Sequence, residues 1–540
     1  MVEVPFWRLH HPRVPAPRSQ YNLAVRCAAL VGLLIAFAPP AFSQSHAPTA
    51  SVPVSPEALV RDGVRLLKAE NLDAAYARFR EAADREPSLA TAHYFLGYVL
   101  ERRKELDQAA ASYELALERD PKMAEAHDRL GFVRGLQGHT DQALERFEEA
   151  VSLNPRLFDA QYHLGVTRWM VQQSDTALDP LKTAVRLQPD NADARYYLGV
   201  VLRRLGHLDE AIAEFRTATK LNPQLAVAYT YLGVALRERG EVDEAIATLQ
   251  RALTLDPSRF DAINGLGLAF MQRGDPDRAV ETFEKAAAQH PEEPTAVLNL
   301  GTALMQKGDL KAAVSVLSKL TADRPDHAEA FYNLGTALKQ QDDFEGAERA
   351  LREAIRLNGS LADAHYTLGV VLWQTRRLPE AAGELRAAIA ARPGYAQAHY
   401  MLGTILRQQG DQEGALVEFR RTVEYEPQSA EAFLSIGQIL QRRDDQAGAA
   451  AAFAEADKLN KQKADQQAAV FAVSVGRQRL QQGDLKAAIA QLRDAVKLDP
   501  SSATAHYELA RALRKAGDAA GARQHLTEAR RLDARTAKEP

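Results

Sequence analysis

The chain has 540 residues, with 67 Lys and Arg against 71 Asp and Glu, a net charge of −4 and one cysteine. That balance excludes a nucleic-acid binder built on a basic patch, and one cysteine excludes a disulfide framework. Length alone suggests three or four globular domains, but the internal repetition described below replaces that expectation.

In chain order, the first stretch predicts export. Arg8, Arg13, Arg18 and Arg26 precede a twelve-residue apolar run, Cys27–Ala38, followed by Pro39, Pro40 and Ala41-Phe42-Ser43. A positive region, a short hydrophobic region and a small-x-small site read as a secretory signal, residues 1–43, cut before Gln44. The run is shorter than the ~20 residues that span a bilayer; the alternative is an uncleaved membrane anchor through residues 27–38. Removal of the signal takes away four Arg and one Glu, which moves the net charge from −4 to −7. It also removes the only cysteine, so thiol chemistry is not expected. Residues 44–55 are rich in Pro, Ser, Thr and Ala and read as a flexible lead.

From Pro56 onward one pattern recurs, and Ala192–Leu225 shows it best. Tyr197, Leu198, Val201 and Leu202 have helical spacing. Gly206 ends that helix. Asp209 and Glu210 sit at the positive start of a second helix, whose apolar stripe is Ala211, Ile212, Phe215, Ala218 and Leu221. Pro223 closes the unit. Gly199 inside the first helix and Ala211 inside the second let the two axes approach closely.

The pattern repeats every 34 residues. The eighth-place glycine runs from Gly63 through Gly199 to Gly437, slips by five residues to Gly476, and becomes Ala510 in the fourteenth unit. The partner alanine occurs in all fourteen units, from Ala75 to Ala522, and the closing proline in most. Units 1–12 occupy 56–463, an insertion 464–468, and units 13–14 residues 469–536; residues 537–540 are expected to fray. The helix around Ala449–Lys463 is expected to run long, with the insertion disturbing the stack either as a hinge or silently. Pro180 is expected to kink its helix. Arg523 and Arg530 replace apolar residues and give the last helix the polar outer side of a cap.

This pattern, A-x-H/Y-Y-x-L-G-x-x-L, A-x-x-x-F/L-x-x-A and L-x-P, resembles the tetratricopeptide repeat over about nine-tenths of the chain. Tryptophan is missing from the fourth place, which holds His93, His127, His365, His399, His506 or other residues. The array is similar to the repeat arms of scaffold proteins and of O-linked N-acetylglucosamine transferases. The resemblance implies an all-α, right-handed superhelical solenoid whose first helices line a concave groove. It implies a non-enzymatic scaffold that binds proteins or extended peptides, with envelope assembly, secretion or polysaccharide export as settings. The alternatives are the substrate arm of a glycosyltransferase system and a membrane-anchored cytoplasmic scaffold. Only Asn299 and Asn333 carry the sixth-place asparagine expected of a transferase arm.

Phosphate-binding glycine loops, His-Glu-x-x-His, Gly-x-Ser-x-Gly and paired cysteines are all lacking. No catalytic residue, cofactor, metal, nucleic acid or small-molecule substrate is therefore expected. The histidine pairs 34 residues apart read as packing groups.

The stripe expected to face the groove holds Tyr94, Tyr162, Tyr196, Tyr332, Tyr366 and Tyr400 at the fifth place. The twelfth holds Trp169, Trp373, Met271, Met305, Arg203, Arg237, Lys339 and Arg407. These residue types anchor interfaces because they combine area with a polar handle. The tyrosines can equally pack against the neighbouring unit and expose only their hydroxyls; the tryptophans read as anchors. Acidic second-place residues such as Asp159, Asp193 and Asp363 suit helix starts and give the groove an acidic lip opposite a basic one.

Overall fold

The computed structural model describes residues 54–533. The expected export signal, most of the lead and the C-terminal tail lie outside them. Among the described residues there are twenty-seven helices and no strand. Fourteen helix pairs would require twenty-eight; one junction between repeats is fused.

Away from the fused junction the repeats fold as the sequence predicts. Ala192–Arg204 is followed by Leu208–Leu221. Between them Gly206 takes φ +83°, and its N–H closes the helix on the Arg203 carbonyl at 3.1 Å. Six repeats place an ordinary residue at this left-handed corner, among them Lys104 at φ 64° and Gln172 at φ 64°. Many second helices start on a side-chain cap: Asp445 Oδ1 accepts from the Gly448 N–H at 2.9 Å, and Asp411 from Gly414 at 2.8 Å.

The eighth-place glycine lies beneath the large side chain of its own second helix. A Cβ on Gly199 would stand 2.7 Å from Phe215 Cε1, and one on Gly131 would stand 3.1 Å from the Ala143 carbonyl oxygen. Close approach to the partner alanine is therefore real, but the twenty-fourth-place side chain sets the tighter limit. That side chain is fully buried in every repeat from Phe79 to Phe419. The alanine at the third place, from Ala92 to Ala432, is fully buried too.

The fourth-place histidines replace tryptophan for a reason visible in the bonding. His127 Nε2 lies 3.1 Å from the carbonyl oxygen of Pro121, and His399 Nε2 lies 2.9 Å from that of Pro393. Each ties its helix to the proline that closes the preceding repeat. Gln161 does the same to Pro155 at 3.0 Å. Among the described residues no group of three or more His, Cys, Asp or Glu is placed to hold a metal ion.

Pro180 is buried inside Ser174–Leu187, and the helix continues through it. Proline has no N–H for the Thr176 carbonyl four residues back. Arg168 Nη1 supplies the missing bond at 3.0 Å.

The expected long helix is longer than the sequence suggested. Gln446–Gln481 is one rod of 36 residues. It contains the second helix of repeat 12, the insertion and the first helix of repeat 13. Residues 464–468 are helical and carry no turn, because nothing between Gly448 and Gly476 breaks a helix. None of the described helices is long and apolar enough to cross a membrane.

The chain divides into two compact units, one ending at Ala296 and the other beginning at Val297. Within each, first helices of successive repeats touch one another, as Ala192–Arg204 touches Ala226–Arg239. The first helices thus form the inner layer of each stack. Arg523 and Arg530 are exposed on the last helix, Ala519–Leu532, as a polar cap requires.

Candidate functional site

In the N-terminal unit the inner layer carries a continuous run of rings. Tyr162 packs stacked on Phe158 at 5.7 Å and edge-on to Tyr197 at 5.9 Å. Tyr197 meets Tyr196 at 4.8 Å and Trp169 at 5.5 Å, both edge-on. Tyr196 meets Tyr231 at 5.4 Å. The rings come from three successive repeats, and edge-to-face geometry suits their quadrupoles.

Tyr94, Tyr162 and Tyr196 are buried, so they form the floor of the site. Burial pushes the Tyr94 and Tyr162 hydroxyls well above their ordinary range. Trp169 is only half-buried, with its indole packed edge-on against Tyr197. Arg203 is half-buried and lies over the Tyr231 ring at 5.4 Å, with Nη1 2.8 Å from Glu238. Arg237 and Met271 follow at the same place, both half-buried. Gln272 Nε2 donates to the Arg237 carbonyl at 3.4 Å.

Beside this floor is a buried polar group that sequence reasoning missed. Glu101 is 4% exposed and accepts the Tyr113 hydroxyl at 2.8 Å. Arg129 stands 3.4 Å from Glu101 and 3.9 Å from Asp159. Burial opposes the charge on Arg129, but Glu101 and Asp159 overcome it and hold the guanidinium charged. A charge neutralised on both sides stiffens the layer and offers little attraction to a ligand.

In the C-terminal unit Tyr332, Tyr366 and Tyr400 are half-buried. Tyr366 lies 5.0 Å from Tyr395, whose hydroxyl donates to Asp363 at 2.9 Å. Arg392 pairs with the same carboxylate at 2.7 Å and holds it below the usual carboxylate range. Tyr400 packs on Phe419 at 5.5 Å. Trp373 is half-buried, and its indole N–H donates to Gln408 Oε1 at 3.2 Å. Arg407 Nη1 donates to Gln438 at 3.0 Å. Met305 and Lys339 are half-buried, and burial depresses the Lys339 ammonium below its ordinary value.

Two twelfth-place side chains reach the thirteenth-place residue of the next repeat, Arg203 to Glu238 and Trp373 to Gln408, while Arg407 reaches the ninth, Gln438. These rungs fix the side chains before any partner arrives, and the Arg203 charge is met by Glu238. The aromatic floor uses the sixth place as much as the fifth, through Phe95, His163, Tyr197 and Tyr231. It stops at Gly265, the sixth-place residue of the next repeat. A scan of the sixth place for rings would have found it.

Tetratricopeptide-repeat models match residues 62–124, 167–226, 202–260, 332–396, 366–423 and 400–468. Further models of the same repeat match 270–338 and 476–517. Among curated proteins none matches the sequence. Similar solved structures include YrrB, described as a TPR protein with an unusual peptide-binding site. It is 29% identical, with 34% of this chain and 95% of that one covered and a TM-score of 0.32. Yeast Tom70 is 15% identical, with 72% and 96% covered and a TM-score of 0.43. The pilF protein of Pseudomonas aeruginosa is 21% identical, with 40% and 97% covered and a TM-score of 0.34.

Proposed function

Because the chain belongs to the tetratricopeptide repeat family, we propose that it is a non-enzymatic scaffold whose inner layer grips extended segments of partner proteins. The observation that carries this reading is the pair Trp169 and Trp373. Both stand at the twelfth place, both are half-buried, and both are held from one side by a neighbouring repeat. A half-exposed indole on a fixed floor is a large apolar anchor with little entropy left to lose.

The chemistry of the partner follows from the rungs. Arg203 and Arg129 are already paired within the protein, so a ligand gains little from charge at these two places. The segment that fits is extended, with apolar side chains to lay on the tyrosines and tryptophans. Export to an extracytoplasmic compartment is part of this reading, and Gln44 is its expected first residue. The composition of residues 1–43 supports it.

A displayed peptide library panned on the purified chain tests the binding. Enriched segments are expected to be extended and apolar, and Trp169→Ala or Trp373→Ala is expected to weaken them about tenfold, 1.4 kcal/mol. No enrichment, or binding indifferent to both substitutions, overturns the reading. Sequencing the N-terminus of the protein made in cells separates export from a membrane anchor. Transfer of sugar to acceptor peptides by the pure protein would contradict a non-enzymatic scaffold.

A further inference from the structure

The fused helix Gln446–Gln481 leaves two repeat edges uncovered. Everywhere from Phe79 to Phe419 the twenty-fourth-place side chain is fully buried, and Leu492 is too. Phe453 holds that place in repeat 12 and is only half-buried. The third place is a fully buried alanine from Ala92 to Ala432 and again at Ala505. In repeat 13 it is Phe471, which is 71% exposed, beside Val470 at 71%. In an ordinary junction the third-place residue lies beneath the preceding second helix. Phenylalanine is too large for that seat, so the rod cannot fold back to cover its own edges.

The two phenylalanines lie on one face of the rod. Phe453, Asp457, Asn460, Ala464, Gln467 and Phe471 are spaced 4, 3, 4, 3 and 4 residues apart. That is the seam spacing of a two-stranded coiled coil. Apart from Phe453 every member is exposed. Phe453 and Phe471 stand 18 residues apart, five full turns, so an antiparallel pair of identical rods centred midway brings each onto the other. We propose that two copies of this chain pair antiparallel along this seam, about a two-fold axis near Gln462. Phe471 of each copy then covers Phe453 of the other. Asp457 meets the Gln467 amide, which can donate to it, and Asn460 meets the small Ala464. Such an interface is isologous and closes on itself.

The flanks give the pair a distinctive signature. Ala454 and Ala468 flank the phenylalanine layers and add apolar contact. At the centre, Lys461 of one copy lies across from Lys461 of the other, and Lys463 across from Lys463. Like charges repel there, and salt screens them. The dimer therefore tightens as ionic strength rises, the reverse of an interface built on ion pairs.

Sedimentation of the full chain over a concentration series at low and high salt tests this. A monomer–dimer equilibrium that tightens with salt is expected. Phe471→Glu changes an exposed side chain and leaves folding intact, and it is expected to weaken dimerisation about tenfold or more. Lys461→Gln with Lys463→Gln is expected to tighten it at low salt. Register is tested with Cys27→Ser chains carrying either Asn460→Cys or Ala464→Cys. The mixture is expected to form a disulfide-linked dimer, and neither chain alone. A monomer at all concentrations, a dimer indifferent to Phe471→Glu, or cross-linking by either cysteine chain alone overturns the proposal.

Discussion

Arg168 donates its Nη1 hydrogen bond to the Thr176 carbonyl, at 3.0 Å, where Pro180 has no N–H to give. A first-helix arginine thus repairs a second-helix defect within one repeat. It also stands 2.7 Å from Glu148 of the preceding repeat, an exposed pair that contributes little. Arg168→Leu is expected to destabilise the fourth repeat by about 0.5–1 kcal/mol, the net worth of a hydrogen bond at an exposed carbonyl that water can also reach. With Pro180→Ala the backbone regains its own donor, and the penalty should shrink to a few tenths of a kcal/mol. Hydrogen exchange of residues 174–187 in the four variants measures the coupling; equal penalties in both backgrounds would contradict it.

The left-handed corner predicts stabilising changes. Lys104 and Gln172 hold φ near +64°, a region that costs a side-chain-bearing residue about 1–2 kcal/mol. Glycine avoids that cost and loses part of the gain to chain entropy. Lys104→Gly is expected to stabilise by about 0.5–1 kcal/mol, and Gly206→Ala to destabilise by about 1 kcal/mol. Urea denaturation of both variants checks the opposite signs.

Two helical glycines should respond in opposite ways to alanine. Gly199 has Phe215 Cε1 at 2.7 Å from a built Cβ, whereas Gly383 has nothing within 4 Å. Gly199→Ala is expected to cost about 1–3 kcal/mol through overpacking. Gly383→Ala is expected to gain up to about 1 kcal/mol from helix propensity. Thermal unfolding that moved both in the same direction would refute the packing argument.

The last repeat should loosen in acid. His506 Nε2 lies 3.2 Å from the Pro500 carbonyl oxygen, and its Nδ1 faces His525 Nδ1 at 3.0 Å. One ring must donate and the other accept, so two imidazolium ions do not fit. Burial, then His506 and Arg493, lower the His525 pKa from its ordinary 6.5. A histidine whose folded pKa is lowered binds its proton more readily when unfolded. Its stability is therefore full above pH 6.5 and is lost as pH falls through 6.5 toward the folded value. Amide exchange in Ala519–Leu532 should rise between about pH 7.5 and about pH 5.5 beyond its intrinsic trend, and His525→Gln should remove the excess.

Much of this was legible in the sequence because the repeat carries its own phase. Gly199, Ala211 and Pro223 recur at fixed intervals, and each has one steric role, so helix pairs and stacking follow from spacing alone. The floor was only half legible. Fifth-place tyrosines stand out by frequency, but the sixth-place rings His163, Tyr197 and Tyr231 run only between Arg129 and Gly265, a stretch too short to stand out against the whole array. The Thr176 bond was invisible because it depends on where Arg168 points, not on local sequence. The fused rod shows in the sequence as a long helix with a disturbed stack. Its full extent does not, because 464–468 breaks the 34-residue phase although its residues are ordinary helix formers.

If Trp169 and Trp373 anchor a partner, their emission must change when it binds. The chain holds three tryptophans, Trp7, Trp169 and Trp373, so replacing Trp7 with Phe leaves only the two on the inner layer. Their fluorescence, followed during titration with a selected peptide, reports directly on that layer. A saturating blue shift in step with binding, divided between Trp169→Phe and Trp373→Phe variants, is the predicted result. Saturable binding with no change in the emission of either indole would contradict it.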